Sequence, residues 1–284
     1  MSYKNPKMEY CVFSKHFQIM NAEQLGRTLS EMEIEGVDLT VREGGHIPPE
    51  KVEKELPLFQ ETLSKYNLKI SMLTTSIVEM NEEAKRIVET AARLKIKYIK
   101  LGYWKYKGFG YYKQQVKQIK KSLSQLEPLF RDNKIKAGFH THSGEFMGLN
   151  ANHAFRLIED CDPEVIGIYY DTGHNTIEGS HYGWMMDLDV VQQHLFMIGI
   201  KDLAWFREED SSGEKKWVKK VVPLGTGLTN WKEFVKCLKQ INFDGPISFH
   251  SEYQGNSSWK NLSIQELITQ TIQDIKYFRS LMEK

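Results

Sequence analysis

Eight short apolar runs alternate with eight longer amphipathic segments along this 284-residue chain, and this alternation constrains the fold more than any other feature. The runs are rich in Val, Ile, Phe and Tyr, which β-strands favour. In the segments between them, apolar residues recur every three or four positions, the spacing of a helix with one buried face. The predicted strands lie at 9–15, 36–42, 68–75, 98–104, 135–141, 165–171, 196–204 and 246–253.

A strand regularly followed by a helix predicts parallel strands joined by crossover helices. Eight such units in a chain of this length favour an α/β fold of the (β/α)8 TIM-barrel type over an open doubly wound sheet. No linker rich in Gly, Ser or Pro divides the chain, so residues 1–284 are predicted to form a single TIM-barrel domain. The polar insertion at 207–216 is predicted to be a solvated loop or a hairpin after the seventh strand.

Charge and composition exclude several classes of partner. The 38 Lys and Arg residues balance the 37 Asp and Glu residues, so we expect no nucleic acid partner and no anionic membrane surface. No apolar run approaches the length of about 20 residues that spans a membrane. The segment GTG at 225–227 is too short for a phosphate-binding loop, and we expect no nucleotide cofactor. A homo-oligomer is compatible with the sequence.

The three cysteines, Cys11, Cys161 and Cys237, are widely spaced and form neither a CxxC pair nor a disulfide framework. This usage indicates a reducing compartment. The first residues lack the apolar stretch of a signal peptide. We therefore expect a cytoplasmic protein, with a leader removed from a longer precursor as the open alternative.

Polar side chains collect where the predicted strands end, which is where TIM barrels place their active sites. The segment KAGFHTHSGE at 136–145 puts His140 and His142 at the end of the fifth predicted strand, and residues two apart on a strand share a face. Imidazole and carboxylate groups are common ligands of divalent metals. The next three strands end in comparable groups, namely Asp171 and His174, Lys201 and Asp202, and His250 and Glu252.

Seven segments in a fixed order resemble the sugar phosphate isomerase/epimerase family, which belongs to the xylose isomerase-like TIM-barrel superfamily. That superfamily also holds tagatose 3-epimerase, inosose dehydratase, hydroxypyruvate isomerase and endonuclease IV. The resemblance covers nearly the whole chain. The segments are GVDLTVREGGHIPPEKV, YIKLGYW, GFHTHSGEF, YYDTGHNTIEG, IKDLAW, PLGTGLTNW and GPISFHSEY.

The resemblance implies one divalent metal held by Glu, Asp, His and Glu from strands five to eight. Carried over by position, the metal ligands would be His140 or His142, Asp171 and Glu252. Two positions depart from the family pattern, because imidazole replaces the strand-five glutamate and Gly199 stands where the strand-seven histidine is expected. Mn²⁺, Zn²⁺, Co²⁺ and Mg²⁺ all stay open, and the imidazoles favour a transition metal over Mg²⁺.

Roles for the remaining residues follow from their positions. The predicted catalytic residues are Glu252 as the base, His142 as a complementary acid or ligand, and Lys201 as a contact for an anionic substrate or a carboxylate. For Lys201 a structural ion pair with Asp202 or Glu252 stays open. Ordinary structural roles stay open as well: a helix cap for Asp171, an ion pair for Arg42 and core packing for Trp104. The predicted substrate-binding residues are Arg42, His46, Trp104, His174 and His250.

These residues and the resemblance together imply a sugar or sugar phosphate isomerase or epimerase that abstracts a proton next to a carbonyl with help from a metal. A metal-dependent lyase or dehydratase of a keto-sugar or inosose would use the same first step. A non-catalytic sugar-binding barrel with a decayed metal site is the third hypothesis, motivated by Gly199. Endonuclease IV chemistry is disfavoured, because the chain has too few metal ligands and a formal net charge of only +1, too small to favour DNA.

Overall fold

A computed structural model describes residues 8–209 and 212–283 of the chain. Eight parallel strands form a closed barrel, with β1 paired to both β2 and β10. The predicted (β/α)8 TIM barrel is confirmed. The barrel strands are β1 Glu9–Phe13, β2 Gly36–Val41, β3 Lys69–Thr75, β4 Tyr98–Lys100, β5 Lys136–His140, β6 Ile166–Asp171, β7 Leu195–Ile200 and β10 Pro246–Phe249.

Helices connect successive barrel strands and bury their apolar faces against the barrel. In α1, for example, Leu25 and Leu29 are buried, as their spacing predicts. Side-chain caps fix several helix starts, including Asn21 before α1 and Ser263 before α8. The helices are α1 Ala22–Ser30, α2 Val52–Ser64, α3 Glu82–Arg93, α4 Tyr112–Asp132, α5 Ala151–Ile158, α6 Thr172–Val191, α7 Trp231–Gln240 and α8 Ile264–Met282.

The predicted seventh strand, 196–204, is two strands in the structure. β7 ends at Ile200, and β8 Asp202–Glu209 then pairs antiparallel with β9 Lys215–Val222 outside the barrel. From Ala204 to Arg207 in β8, half-buried and exposed side chains alternate, which is typical of a two-stranded ribbon with one solvent-exposed face. Of the two alternatives for the polar insertion at 207–216, the structure therefore has the hairpin.

The sixth helix begins earlier than the sequence predicts. Its apolar spacing is regular only from about 187, whereas α6 starts at Thr172, directly after β6. Glycines in its first turns have low helix propensity and hide this start in the sequence. The Asp171 side chain caps the helix by accepting from the His174 amide, and the helix is interrupted at Ser180, where φ is 55°.

Two further observations bear on the sequence-based predictions of compartment and partners. Cys11 is buried, Cys161 and Cys237 are half-buried, and none of the three forms a disulfide. Within residues 8–209 and 212–283, none of the helices combines the length and the apolar composition needed to cross a membrane.

Candidate active site

A narrow cavity of about 90 Å³ opens at the carboxyl ends of the barrel strands. Side chains from every barrel strand, or from the residues just after it, reach this cavity, as expected where eight parallel strands end together. Most of them are polar or charged. The lining comprises Phe13, Lys15, Arg42, Thr74, Lys100, Tyr103, His140, His142, Tyr169, Lys201, His250 and Glu252.

Asp171 lies at the centre of this arrangement and is fully buried. Its Oδ1 accepts from the His174 amide at 2.9 Å, so the residue does cap α6. Its Oδ2 faces the cavity side, 3.1 Å from Lys201 Nζ, 3.4 Å from His250 Nδ1 and 3.7 Å from His140 Nε2. Burial alone would raise the pKa of this carboxyl, but the neighbouring His174 and Lys201 side chains outweigh burial and hold the pKa well below its usual value.

Three buried ligand atoms converge beside the cavity. His140 Nε2, Asp171 Oδ2 and His250 Nδ1 lie within 4.8 Å of one another. Within the described ranges neither nitrogen has a hydrogen-bond partner, while Asp171 Oδ2 has the Lys201 ammonium 3.1 Å away. Burial lowers the pKa of His140 well below its usual value, so this imidazole is neutral, as a metal ligand must be. Two imidazoles and one carboxylate suit a divalent transition metal, so the residues fit the metal that the family resemblance implies.

This group overlaps with the predicted ligand set without matching it. It contains His140 and Asp171, and it adds His250, which the sequence placed among the substrate contacts. His142 and Glu252 lie beside it. Position 199 faces the same place, because a Cβ added to Gly199 would lie 3.3 Å from Asp171 Oδ2 and 3.2 Å from His250 Cε1. The ring of His250, which follows β10, thus occupies the space into which a side chain at position 199 of β7 would point.

Tyrosine hydroxyls orient both imidazoles of this group. The Tyr103 hydroxyl lies 2.7 Å from His140 Nδ1, and the Tyr169 hydroxyl lies 2.7 Å from His250 Nε2. A partner on one ring nitrogen sets the tautomer and the direction of the other. These two contacts therefore orient the other nitrogen of each ring, His140 Nε2 and His250 Nδ1, toward Asp171 Oδ2.

Lys201 is buried and contacts two carboxylates. Its Nζ donates to Glu252 Oε1 at 3.0 Å and lies 3.1 Å from Asp171 Oδ2. Burial lowers the pKa of Lys201, but the two carboxylates together raise it more, and the net shift is upward. The side chain is therefore an ammonium ion. Asp202, the other ion-pair partner that the sequence allowed, faces away and accepts from backbone amides and the Trp231 indole.

His174 joins this network from the first turn of α6. Lys201 Nζ lies 2.9 Å from His174 Nε2, and an ammonium can only donate, so Nε2 accepts. The proton on the neutral ring is then on Nδ1, which donates to Ser143 Oγ at 2.7 Å. Burial lowers the pKa of His174 well below its usual value, in agreement with a neutral ring. His174 thus orients Lys201 from behind the cavity wall.

Glu252 lies at the rim, where Lys15 Nζ donates to Oε2 at 3.0 Å and Lys201 Nζ donates to Oε1. Burial would raise the pKa of this carboxyl, but Lys201 and other neighbours outweigh burial and hold the pKa well below its usual value. The carboxylate is ionised and faces the cavity. His142 lies nearby with its pKa lowered by burial to about 4, and its Nδ1 donates to the Ser143 carbonyl at 2.9 Å.

The predicted substrate contacts divide into two groups. Arg42 and His250 line the cavity, and His174 lies behind its wall. His46 and Trp104 are not among its lining residues either: His46 Nδ1 is 3.1 Å from Thr40 Oγ1, and the Trp104 ring stacks on Phe139 at 5.1 Å. The packing role that the sequence left open for Trp104 is the one observed for its ring.

Several residues of the site were not predicted from the sequence, among them Lys100, Thr74, Asp38 and Tyr169. Tyr169 precedes Asp171 by two positions on β6, so the alternation of the strand would have placed it on the same face. Asp38 is a lone carboxylate within the apolar run GVDLTV, which is itself a signal because an isolated buried charge needs partners. Lys100, the last residue of β4, is likewise an isolated charge in a buried strand.

Comparison with known proteins was made on sequence and on structure. The sequence profile of a family described as "Xylose isomerase-like TIM barrel" matches residues 27–281. A curated relative, inosose dehydratase from Lactiplantibacillus plantarum, is 22% identical over 137 residues. The matched segment spans 48% of this chain and 40% of the relative, so the chain covers less than half the length of that protein.

Solved structures share the fold over almost the whole chain. A xylose isomerase-like TIM barrel protein from Mycobacterium smegmatis, solved in complex with magnesium, superposes with a TM-score of 0.71 at 14% identity, covering 99% of this chain and 98% of its own. The 3-keto-D-glucoside 4-epimerase from E. coli superposes with a TM-score of 0.70 at 14% identity, covering 96% of this chain and 100% of its own. At these identities the likeness concerns the fold.

Proposed function

This chain belongs to the xylose isomerase-like TIM barrel family, and from that premise we propose that it is a metal-assisted sugar isomerase or epimerase. The reaction would begin with removal of a proton from the carbon next to a carbonyl group. One observation carries the proposal: three buried ligand atoms, on His140, Asp171 and His250, converge beside an ionised carboxylate, Glu252, at the mouth of the barrel.

A divalent metal held by His140, Asp171 and His250 would polarise the carbonyl oxygen of the substrate and make the neighbouring C–H bond more acidic. The structural neighbour from Mycobacterium smegmatis was solved in complex with magnesium, which supports a metal in this fold by analogy. The imidazoles of this chain favour Mn²⁺, Co²⁺ or Zn²⁺ over Mg²⁺.

The chain's own residues would handle the proton. The Glu252 carboxylate, held at the rim by Lys15 and Lys201, would accept the proton from carbon and return it to the neighbouring carbon in an isomerisation. In an epimerisation a second acid would supply a proton from the other face. The Lys201 ammonium, 3.0 Å from Glu252, would stabilise negative charge that develops on the substrate oxygen. His174 would keep Lys201 in place by accepting one of its protons.

A lyase or dehydratase is the second candidate, favoured by the partial likeness to inosose dehydratase. It would share the first step and differ in the second, where a hydroxyl group leaves from the carbon beyond. Lys201 again offers a proton donor within hydrogen-bond distance of Glu252. Products separate the two, because isomerisation conserves the mass of the substrate and dehydration lowers it by one water.

The proposal is tested by assaying ketoses and inososes with each divalent metal and identifying products by mass. Glu252→Gln and Asp171→Asn should each lower turnover at least about a hundredfold, because they remove the base and a metal ligand. Asp171→Asn should also lower the bound metal per chain. Glu145→Gln, at an exposed glutamate after β5, is the matched control and should keep both.

Wild-type turnover in both Glu252→Gln and Asp171→Asn would contradict the site. Tight sugar binding without turnover under any metal would instead identify a non-catalytic sugar-binding barrel.

A further inference from the structure

Lys100, the last residue of β4, is a buried lysine on the cavity wall with 1% of its surface exposed. Its Nζ lies 3.5 Å from the Thr75 carbonyl oxygen and 3.5 Å from the centroid of the Tyr103 ring. Among the described residues, no carboxylate lies within ion-pair distance of it. Lys201 on the opposite wall contacts two carboxylates, so the two buried lysines of the site differ in their charge balance.

Arg42, just after β2, is the second cation on this wall without a carboxylate in contact. Its guanidinium lies 6.0 Å from the centroid of the Phe13 ring, and it has no ion pair in the part of the chain that the structure describes. Burial lowers the pKa of Lys100 well below its usual value, and Arg42 is the charged neighbour that contributes most to this shift. The two cations therefore share one region of the cavity.

The charges around the cavity leave these two cations uncompensated. Four cationic side chains line the cavity, and the one lining carboxylate, Glu252, already pairs with Lys15 and Lys201. Asp38 lies below in the barrel and accepts from Thr74, Ser248 and Tyr169. Burial without a counter-ion favours the neutral amine of Lys100, and an anion bound beside it would favour the ammonium, so such a position is typical of a site that a ligand completes.

The strand order places this wall opposite Asp171 and His250 of the candidate metal group, whereas His140, on β5, lies next to β4. β2, β3 and β4 are neighbours around the barrel, and β3 lies across from β7, with β6 and β10 on either side of β7. Lys100 and Arg42 thus stand on the far side of the mouth from Asp171 and His250. A substrate that presents its carbonyl to the metal group would direct its other end at these cations.

We infer that the substrate of this site is an anionic sugar, whose carboxylate or phosphate group binds between Lys100 and Arg42. The inference rests on the proposed function only in placing the reacting carbonyl in the same cavity. The Arg42 guanidinium offers a fork of donors that matches two anionic oxygens, and Lys100 offers a point charge from the barrel wall. The inosose and the keto-glucoside named for the two relatives carry no charge, so this chain would differ from them in substrate.

The test is direct binding of three probes measured by calorimetry at low salt: D-fructose, D-fructose 6-phosphate and D-fructuronate. The wild-type protein should bind at least one anionic probe about tenfold or more tightly than D-fructose. The arm that binds more tightly identifies a phosphate or a carboxylate as the anion. Equal affinity for all three probes would overturn the inference.

Substitutions test whether Lys100 and Arg42 cause the preference for the anionic probe. Lys100→Met and Arg42→Gln should each reduce the preference for the anionic probe over D-fructose about tenfold or more. Lys107→Met, at an exposed lysine after β4, is the matched control and should keep the preference. Arg42 is half-buried and its variant should fold even if the one at the buried Lys100 does not. An unchanged preference in Arg42→Gln would contradict the inference.

Binding of the anionic probes tests the inference, and turnover of a sugar tests the proposed function. An anion preference without turnover of any sugar would support the inference and count against the proposed function. Turnover without an anion preference would contradict the inference and support the proposed function.

Discussion

At the scale of single residues, Tyr169 decides how the candidate metal group is presented. Its hydroxyl lies 2.7 Å from His250 Nε2 and donates to Asp38 Oδ2 at 3.2 Å. A hydroxyl has one proton, so when it donates to Asp38 it accepts from His250 Nε2–H. The lone pair of His250 is then on Nδ1, beside Asp171. Asp38, deep in the barrel, thus acts on the site through Tyr169.

Tyr169→Phe should weaken the binding of Mn²⁺ or Zn²⁺ about tenfold or more, because the hydrogen bond that fixes the His250 ring is lost. The measurement is metal affinity by competition with a chelating dye, with far-ultraviolet circular dichroism to confirm the fold. Tyr112→Phe is a matched control, since Tyr112 contacts His153 Nε2 at 2.7 Å outside the cavity lining. Equal metal affinity in Tyr169→Phe and wild type would remove Tyr169 from this role.

Sequence alone could predict part of this site. The ends of the fifth and sixth predicted strands place His140 and Asp171 at the mouth of the barrel, where the structure has them. β10 ends at Phe249 and the Glu252 amide donates back to the His250 carbonyl, yet both side chains line the cavity, with His250 Nδ1 3.7 Å from Glu252 Oε1. The spacing of the two residues does not tell which one joins the metal group. His250 does so, while Glu252 pairs with Lys15 and Lys201.

At the scale of elements, α8 is fastened to the barrel rim by a buried carboxyl group, Asp274. It accepts from the Tyr253 hydroxyl, from Gln270 Nε2 and from the Leu224 amide. Burial raises the pKa of Asp274 to about 6, and these hydrogen bonds offset only part of that shift. The folded state therefore holds this proton more tightly than the unfolded chain does.

This shift makes a contribution to stability that depends on pH. Because the folded pKa lies above the unfolded value, ionisation of Asp274 destabilises the fold above about pH 6, and the fold regains that free energy as the pH falls toward 4. The free energy of unfolding of the wild type, relative to Asp274→Asn, should rise by up to about 3 kcal/mol over that range. Urea unfolding at several pH values measures it, and a constant difference would contradict the assignment.

Elements were predicted best where their apolar spacing was regular. The strands β2, β3, β5 and β6 begin and end within one residue of their predicted bounds. The segment after Ile200 was not predicted correctly. Asp202–Glu209 looks like a continuation of β7 in the sequence, although it pairs with β9. The choice between extending a barrel strand and forming a ribbon depends on a partner strand distant in sequence. Local propensity does not contain that information.

At the scale of the whole molecule, the barrel brings two opposed charge environments to one mouth. On one side, Asp171 and Glu252 share the Lys201 ammonium beside the candidate metal group. On the other, Lys100 and Arg42 lack a carboxylate in the described part of the chain. The closed strand order, and not any single motif, creates this opposition. The sequence could predict the barrel, while the opposition required the register of all eight strands.

The central claim is that this mouth removes a proton from the carbon next to a sugar carbonyl, and hydrogen–deuterium exchange tests it most directly. A ketose that the protein binds is incubated with it in D₂O with Mn²⁺, Co²⁺ or Zn²⁺, and deuterium on carbon is measured by nuclear magnetic resonance after removal of the metal and protein. We predict deuterium next to the carbonyl with the wild type, and its loss in Glu252→Gln and Asp171→Asn. Undiminished exchange in both variants, or no exchange of a bound sugar under any metal, would contradict the account.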